Sequence, residues 1–267
     1  GSKRWLDFNL FRLQPIELIK PFFILLVSKI LTQDKNKILN SYYLFSFFIL
    51  FSIIILLINQ PDLGQAILLI GTWIAMVFIS GIRIFYIFSF FGLSLSALTG
   101  LLFLFPEKFG YITKRLSTFF DPSSGDSFQT QKALDAIKQG GLTGQGMGEG
   151  ILKDNVPEAH TDYIIAVISE EFGSIISILL IIIFIYIALR IIKFTISELD
   201  NSIKISLCGF STLLIFQTFI HIGVNTSLLP TTGMTLPFLS YGGSSLLGSS
   251  ILAGFILNYT KNSFSHD

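Results

Sequence analysis

The segment NVPEAHTDYIIAVISEEFG, residues 155–173, crowds ionisable side chains against the start of a long apolar run. Within it Glu158, His160 and Asp162 occupy every second position. Two carboxylates and an imidazole at this spacing could hold a divalent metal. Alternatively, Asp162 could act as a general base, since an apolar neighbourhood raises the pKa of an acid toward neutrality.

A structural interpretation of the same residues is equally open at this point. Asp162 or Thr161 could cap the helix that follows. A helix N-terminus would lower the pKa of the acid, which opposes the role of base. The apolar run from Asp162 to Ile192 exceeds the roughly 20 residues that a membrane span needs, so its first turns can stand above the lipid.

Two further sets of ionisable residues precede apolar segments. Glu17 and Lys20 are three residues apart, so they share a helix face and can pair. Charges inside a membrane helix are costly and usually functional, although such a pair could merely anchor a helix at the interface. Asp62, in QPDLG, could cap the next helix, contribute to a functional site, or do both.

The segment GGLTGQGMGEG, residues 140–150, is unusually rich in glycine and includes Gly144 and Gly146. Glycine lets backbone N–H groups approach an anion, so the segment could cradle phosphate. It matches neither the dinucleotide-binding nor the Walker pattern, and a flexible surface loop is the simpler interpretation. His221 and Ser244 could suggest an intramembrane protease, but SYGGSS is more typical of close helix packing.

The composition indicates what must position these residues. The chain has 267 residues, 51% hydrophobic and 13% charged, with a mean hydropathy of +0.70. Soluble domains carry about 25% charged residues, so an integral membrane protein is predicted. The net charge of +1 argues against nucleic acid as a partner. Cys208 is the only cysteine, which excludes an internal disulfide and a four-thiolate metal site.

Hydropathy predicts an all-α, polytopic membrane helix bundle forming one domain over residues 1–267. Seven spans are expected, at Pro15–Leu31, Ser41–Ile58, Gly64–Ser80, Ile84–Phe105, Tyr163–Ile192, Ile203–Val224 and Ser240–Tyr259. The last is rich in Gly and Ser, which predicts close packing against other helices. One long connection, 106–162, separates the fourth and fifth spans. It includes a predicted amphipathic helix that ends at Gly140. One face of this helix carries Phe128, Ala133, Leu134 and Ile137.

Basic residues in the short loops predict the orientation. Lys and Arg cluster at alternate turns, whereas NQPDLG and NTSLLPTTGMTLP contain neither. By the positive-inside rule the long loop is extracytoplasmic, together with these two turns and the N-terminus. An outside N-terminus without a signal peptide implies an odd number of helices upstream or a miscounted helix.

Six segments, taken together, resemble the SEDS family of membrane glycosyltransferases (shape, elongation, division and sporulation). They are KRWL, QPIELIK, QPDLG, GGLTGQGMGEG, PEAHTDYIIAVISEEFG and LPTTGMTLPFLSYGGSSLL, in the family's order. The wording PEAHTD and TLPFLSYGGSS is closer to the FtsW (cell-division) branch than to the RodA (elongation) branch. Ile16 departs from the serine that is usual in QPSE.

The resemblance implies a ten-helix fold, of which this chain would be the last seven helices. It also implies an enzyme that polymerises lipid II into glycan strands outside the bacterial cytoplasmic (inner) membrane, at the division septum, releasing undecaprenyl pyrophosphate. Asp162, in the HTD motif, would be the catalytic base. The other residues expected at the substrate are Glu17, Lys20, Asp62, Glu158, His160, Gly144, Gly146, Ser240, Gly242 and Gly243.

The resemblance further implies a divalent metal, Mg or Mn, with unassigned ligands. It implies a class B penicillin-binding protein, a transpeptidase, and other division proteins as partners. Two alternatives remain open: an elongation-type polymerase and a flippase for lipid-linked precursors. Polar residues inside a bundle also mark transport paths, but the chain shows no inverted repeat with broken helices, and its acidic cluster lies on one membrane face.

Overall fold

The computed structural model describes residues 4–7, 12–33, 40–83, 106–121 and 128–261, with isolated positions between 85 and 100. The described chain is almost entirely helical, as predicted. A two-residue strand β1 (Leu6–Asp7) pairs antiparallel with β2 (Arg12–Leu13). The helices are α1 (Pro15–Leu31), α2 (Asn40–Asn59), α3 (Leu63–Ile79), α4 (Pro106–Phe120), α5 (Phe128–Gly140), α6 (Ile164–Ser197), α7 (Asn201–Asn225) and α8 (Gly243–Thr260).

Six of the seven predicted spans are helices in the structure, with ends that differ by a few residues. Helices α2, α6 and α7 are long and apolar enough to cross a membrane, and α3 is apolar but shorter. Helix α1 carries three charged residues, Glu17, Lys20 and Lys29, and α8 is rich in small residues. Most of the predicted fourth span, Ile84–Phe105, lies outside the described residues. The described part is therefore an all-α polytopic bundle.

Small residues let the helices approach closely at the centre of the bundle. Helix α7 packs against α1, α3 and α6, and α8 packs against α1. A Cβ atom at Gly248 in α8 would lie 2.4 Å from the carbonyl oxygen of Glu17 in α1. A Cβ at Gly209 in α7 would lie 2.7 Å from Ile24. The close packing predicted for the last helix is therefore confirmed.

Helix α6 has 34 residues and is interrupted at Gly173, whose φ of 82° and ψ of 170° are not helical. At about 1.5 Å per residue, an uninterrupted helix of this length would far exceed the roughly 30 Å hydrocarbon core. The interruption separates the first nine residues, 164–172, from the longer apolar part. This short outer part is the platform on which the long loop docks.

The described part of the long loop contains two α-helices, α4 and α5, rather than one, and a short 3₁₀ helix at Leu152–Asn155. Helix α5 forms where it was predicted and ends at Gly140, followed by Gly141 at a φ of +58°. The face that it buries is Ala133, Ala136 and Gly140. Phe128, which was predicted on that face, is half exposed. The small side chains allow α5 to lie directly on α6, where a Cβ at Gly140 would meet the Ser169 carbonyl.

Candidate active site at the outer face

A cavity of about 390 Å³ opens where the predicted extracytoplasmic segments meet. The cavity is lined by residues of the N-terminal segment, the turn before α3, helices α4 and α5, the start of α6, the end of α7 and the segment that follows α7. They are Arg4, Pro61, Tyr111, Arg115, Gln129, Asp162, Tyr163, Val224, Thr231 and Gly233. Segments distant in sequence thus build one chamber, with both polar and apolar lining, around Asp162.

The carboxylate of Asp162 is not a helix cap. The residue that caps α6 is Tyr163, with no side-chain cap hydrogen bond, and the Thr161 hydroxyl donates to Glu158 instead. Among the described residues, no group hydrogen-bonds or ion-pairs with the Asp162 carboxylate. The capping interpretation is therefore wrong, and this carboxylate is available to a ligand.

Asn225, at the end of α7, does the capping from a neighbouring helix. Its Oδ1 accepts from the backbone N–H of Ala166 at 3.2 Å. Its Nδ2 donates to the carbonyls of Asp162 at 3.0 Å and His221 at 2.8 Å. The residue is fully buried. This side chain fixes the backbone that carries Asp162 while leaving the carboxylate unconstrained.

Burial, together with the negative charge of Glu158, raises the pKa of Asp162 from 3.8 to about 6. The positive charges of Arg4 and Arg115 oppose this shift. A general base works best when its pKa lies close to the operating pH. The environment therefore gives Asp162 the titration behaviour that a base requires at neutral pH.

The neighbours of Asp162 in the HTD segment build its turn. Glu158 has a positive φ of 57°, is exposed, and its carbonyl accepts from the backbone N–H of Asp162 at 3.0 Å. The exposed His160 receives, at its carbonyl, a hydrogen bond from the Tyr241 N–H at 2.8 Å. The Ser240 hydroxyl donates to the Thr161 carbonyl at 2.6 Å. The SYGG segment thus holds the turn that carries Asp162 through these two hydrogen bonds. Within this segment Gly242 caps α8 and Gly243 is the first residue of that helix.

Within the described part of the chain, no group of three His, Cys, Asp or Glu side chains is placed to hold a metal ion. The predicted triad of Glu158, His160 and Asp162 does not converge into a metal site. These residues therefore do not fit a metal held by the protein alone, and no step of the chemistry below is assigned to one. The prediction of Mg or Mn remains a prediction.

Asp62 caps α3, as the sequence allowed, and its role at the substrate stays a prediction. Its Oδ1 accepts from the backbone N–H of Gln65, which caps α3. Its Oδ2 lies 3.5 Å from the Nε of Arg4, a cavity-lining residue. The Arg4 guanidinium also donates to the carbonyls of Gln60 and Pro61. Burial raises the pKa of Asp62, and the nearby Arg4 charge opposes that rise.

Glu17 and Lys20 pair as predicted, but they do not line the cavity around Asp162. Lys20 Nζ lies 2.7 Å from Glu17 Oε2 and donates to Gln217 Oε1 at 3.1 Å. The Nε2 of Gln65 donates to Glu17 Oε1 at 2.8 Å. Both charged side chains are only 3% exposed. The pair borders a separate small cleft inside the bundle, and its assignment to substrate stays a prediction.

Comparison with known proteins agrees with this geometry. The sequence matches FTSW_RODA_SPOVE, described as "Cell cycle protein", over residues 1–264. The chain belongs to the FtsW/RodA/SpoVE family.

Two curated family members illustrate the similarity. The chain is 37% identical to the "Probable peptidoglycan glycosyltransferase FtsW" of Caulobacter vibrioides, covering 96% of this chain and 65% of that protein. It is also 37% identical to the "Stage V sporulation protein E" of Bacillus subtilis, covering 98% of this chain and 72% of that protein. The chain thus spans about two thirds of the length of these relatives.

Solved structures of the family share the fold. One is described as "Structural coordination of polymerization and crosslinking by a peptidoglycan synthase complex"; its TM-score is 0.76 at 24% identity, over 97% of this chain and 74% of that chain. The rod shape determining protein RodA of Thermus thermophilus has a TM-score of 0.62 at 23% identity, over 97% and 70%. These likenesses support the all-α polytopic bundle.

The family's glycine-rich segment contacts α6 rather than the cavity. Its turns place Gly144 and Gly146 at positive φ, 81° and 113°. The Glu170 carboxylate accepts from the backbone N–H groups of Leu152 and Lys153, both at 2.7 Å. Within the glycine-rich segment, the backbone N–H groups of Gly144 and Gly146 already donate to the carbonyls of Gly140 and Glu171. The assignment of Gly144 and Gly146 to substrate remains a prediction, and the structure gives them a docking role.

Several cavity residues were not singled out from the sequence. Tyr111 and Arg115 lie four residues apart on α4, a helix that was not predicted. Residues at this i, i+4 spacing share one helix face, and that spacing is the sequence signal that could have linked them. Arg4 was recognised only as part of the KRWL segment. Asn225 is 63 residues from Asp162, and no local pattern links the two.

Proposed function

We propose that the intact protein is a peptidoglycan glycosyltransferase that polymerises lipid II at the outer face of the bacterial cytoplasmic membrane. The observation that carries this proposal is the Asp162 carboxylate. It lacks a partner among the described residues, has a pKa of about 6, and lines a cavity on the predicted extracytoplasmic side. The names of the FtsW relatives supply the substrate class, which geometry alone does not.

In the proposed reaction, Asp162 accepts the proton from the 4-hydroxyl of the acceptor sugar. The resulting oxygen forms a bond to the anomeric carbon of the donor, with inversion. The bond from that carbon to the diphosphate oxygen breaks, and undecaprenyl pyrophosphate leaves with the electron pair. General-base catalysis of this kind contributes typically 10²–10⁴ in rate. Asn225 contributes by holding the Asp162 backbone.

The FtsW names favour a role in septal wall synthesis over an elongation role. We propose the division septum as the location and a class B penicillin-binding protein as the partner, together with other division proteins. The structural neighbour that belongs to a peptidoglycan synthase complex supports a partnership of this kind. Recovery of the transpeptidase after mild detergent purification of the intact protein is expected; failure by both pull-down and crosslinking would count against it.

The decisive test compares Asp162→Asn with Asp135→Asn in the intact protein. Asp135 is an exposed acid on α5, so the same chemical change there is a matched control. Lipid II polymerisation in detergent should fall by about 10²–10⁴ for Asp162→Asn and stay unchanged for the control. Glu158→Gln and His160→Ala should cause smaller losses.

Detergent solution also separates polymerisation from transport, because no membrane remains to be crossed. A wild-type protein that lengthens no glycan in detergent but moves lipid II across vesicle membranes would support the flippase alternative. Near-wild-type turnover by Asp162→Asn would remove Asp162 from the mechanism.

A further inference from the structure

Three side chains stand in a row along one face of α7. Gln217, His221 and Asn225 are spaced four residues apart, and residues at this spacing lie above one another on a helix. All three are buried. Each is hydrogen-bonded to a backbone carbonyl outside α7, those of Thr235, Met234 and Asp162 respectively. This face of α7 therefore contacts both the segment that follows α7 and the turn that carries Asp162.

The imidazole of His221 has one hydrogen bond among the described residues. Its Nδ1 lies 2.7 Å from the carbonyl oxygen of Met234. A carbonyl oxygen only accepts, so Nδ1 carries the proton and donates. Its Nε2 is buried without a partner in the described part of the chain, and an unsatisfied buried nitrogen is costly. An apolar side chain would avoid this cost, so the contribution that is specific to histidine here is the bond to Met234.

The Met234 carbonyl belongs to a segment that depends on side-chain donors. Among the described residues, residues 231–235 form no backbone–backbone hydrogen bond. Side chains donate to their carbonyls instead: Arg115 to Thr231, His221 to Met234 and Gln217 to Thr235. Two of these donors belong to α7. Apart from packing, the placement of this segment on α7 therefore depends on side-chain hydrogen bonds rather than on secondary structure.

The residue before Met234 forms the cavity wall beside the base. Gly233 lines the cavity, and a Cβ atom built on it would lie 3.3 Å from Asp162 Oδ2. The φ of Gly233 is +71°, a conformation that glycine adopts without steric cost. A peptide bond joins Gly233 to Met234, so a movement of the Met234 backbone moves the wall. The hydrogen bond from His221 thus controls how closely the backbone covers the Asp162 carboxylate.

The same turn of α7 also reaches the other side of the base. Asn225 donates through Nδ2 to the carbonyl of His221 at 2.8 Å and to that of Asp162 at 3.0 Å. His221 therefore orients Asn225 through its backbone and Gly233 through its ring. One residue of α7 thus sets the placement of the wall relative to the Asp162 turn.

We propose that His221 is a positioning residue for the general base: its Nδ1–H holds the Met234 carbonyl and thereby keeps Gly233 beside the Asp162 carboxylate. This inference rests on the proposed function, and His221 acts through the cavity wall rather than on the substrate. The wall excludes water from one side of the carboxylate. The charged groups that face Asp162 belong to other segments and stay in place when His221 is changed; they are Glu158, Arg4, Asp62 and Arg115. Loss of the wall therefore acts on Asp162 through its burial.

Two substitutions in the intact protein separate the donor from the ring. The amide nitrogen of asparagine reaches about as far as Nδ1, so His221→Asn keeps a donor for Met234, whereas His221→Gln places its donor near the position of Nε2. Lipid II polymerisation by His221→Gln should fall about 10- to 100-fold at pH 7.5, as expected from a small misplacement of the reacting groups. His221→Asn should retain most of the wild-type rate. Thr218→Val, which removes a buried hydroxyl that bonds only within α7, is the matched control and should leave the rate unchanged.

The pH profile gives a readout that a merely structural role would not move. Burial and the charge of Glu158 raise the pKa of Asp162 to about 6, whereas an exposed aspartate titrates at about pH 4. When the wall moves away in His221→Gln, this pKa falls, and more of the carboxylate is ionised at pH 5 than in wild type. The deficit in kcat/KM should therefore be up to about tenfold smaller at pH 5 than at pH 7.5. An equal deficit at both pH values, with a lowered melting temperature, would show a structural role and overturn the proposal.

A measurement on the unsubstituted protein covers the case in which His221→Gln does not fold. Nitrogen-15 NMR of the histidine side chains should show His221 as the tautomer that is protonated at Nδ1. The resonance is assigned by its loss in His221→Asn, the milder of the two substitutions. Protonation at Nε2 instead would remove the donor to Met234 and overturn the proposal.

This test and the test of the proposed function fail separately. A wild-type protein that polymerises no lipid II would refute the reaction. An active wild type and an inactive Asp162→Asn, alongside a His221→Gln protein with the wild-type rate and pH profile, would refute only the positioning role of His221.

Discussion

The two charged regions of this molecule treat their charges in opposite ways. In the bundle interior, Glu17 and Lys20 neutralise each other at 2.7 Å and are further bonded to glutamine amides. In the outer cavity, the Asp162 carboxylate and the Arg115 guanidinium lie near each other without pairing. Both regions lose solvation, but only the outer one leaves its charges available to a ligand. The Glu17–Lys20 pair and the charges around Asp162 therefore have different roles, although both sets stand out in the sequence.

The contrast has a physical basis. A buried ion pair gains its attraction only with good geometry and extra hydrogen bonds, and the interior pair has both. It then joins α1 to α3 and α7 through Gln65 and Gln217. The outer charges have fewer internal bonds, so substrate can supply the missing partners. We therefore expect substitutions in the interior to affect stability first, and substitutions in the cavity to affect chemistry first.

The largest effect on stability is expected from Lys20→Ala. This change leaves the Glu17 carboxylate buried without its counter-charge, which costs about 3–5 kcal/mol. Thermal unfolding of the purified intact protein should show a large decrease in melting temperature, and polymerisation should fall with it. The double variant Glu17→Gln with Lys20→Met should recover most of the stability. A Lys20→Ala protein with wild-type stability and no activity would break the contrast by moving Lys20 into the chemistry.

A smaller loss is expected from Asn225→Ala. It removes the donor to the Asp162 carbonyl, at about 1–3 kcal/mol for an unsatisfied group, whereas the Ala166 N–H keeps the Tyr163 carbonyl as an acceptor. Thr226→Ala is the matched control, since that hydroxyl bonds only to carbonyls of its own helix. Asn225→Ala should also shift the apparent pKa of the rate profile, because the Asp162 turn moves. A drop in stability with an unaltered rate profile would mean that Asn225 only caps α6.

Much of the interior was predictable from the sequence, because it follows from local periodicity. Six spans, the face shared by Glu17 and Lys20, and the cap formed by Asp62 all depend on residues within a few positions of each other. The outer cavity was not predictable to the same degree. Its members include Arg4, Arg115, Asp162 and Gly233, which are brought together by loop packing that no short pattern encodes.

The capping of α6 shows the same limit in detail. The sequence offered Asp162 or Thr161 as the cap, since both are good capping residues beside the helix. The structure uses Asn225, 63 residues away, and thereby frees Asp162. Local capping preference pointed to Asp162 or Thr161, but in the folded protein a side chain from another helix caps α6. Tertiary packing also places Glu17 and Lys20 at a cleft inside the bundle, which is lined by other residues than the cavity around Asp162.

The pH dependence of the rate sharpens the comparison further. Asp162 must be ionised to accept a proton, and burial raises its pKa to about 6. kcat/KM should therefore fall about tenfold for each pH unit below 6 and reach a plateau above 7. An exposed aspartate would titrate near pH 4 instead. A rate that stays constant down to pH 4.5, in protein shown to remain folded, would contradict the assigned environment of Asp162.

The most direct test of the whole account measures rate and stability together in Asp162→Asn. A folded state that raises the pKa of an acid disfavours its ionised form, so ionised Asp162 costs stability once the pH exceeds about 4 and this cost is complete above 6. Asn removes that charge. At pH 7.5 the variant should melt at or above the wild-type temperature, the difference should shrink at pH 5, and polymerisation should fall by about 10²–10⁴. A variant that melts lower than wild type yet polymerises lipid II at the wild-type rate would show that Asp162 is structural, and would contradict the division of labour between the two charged regions.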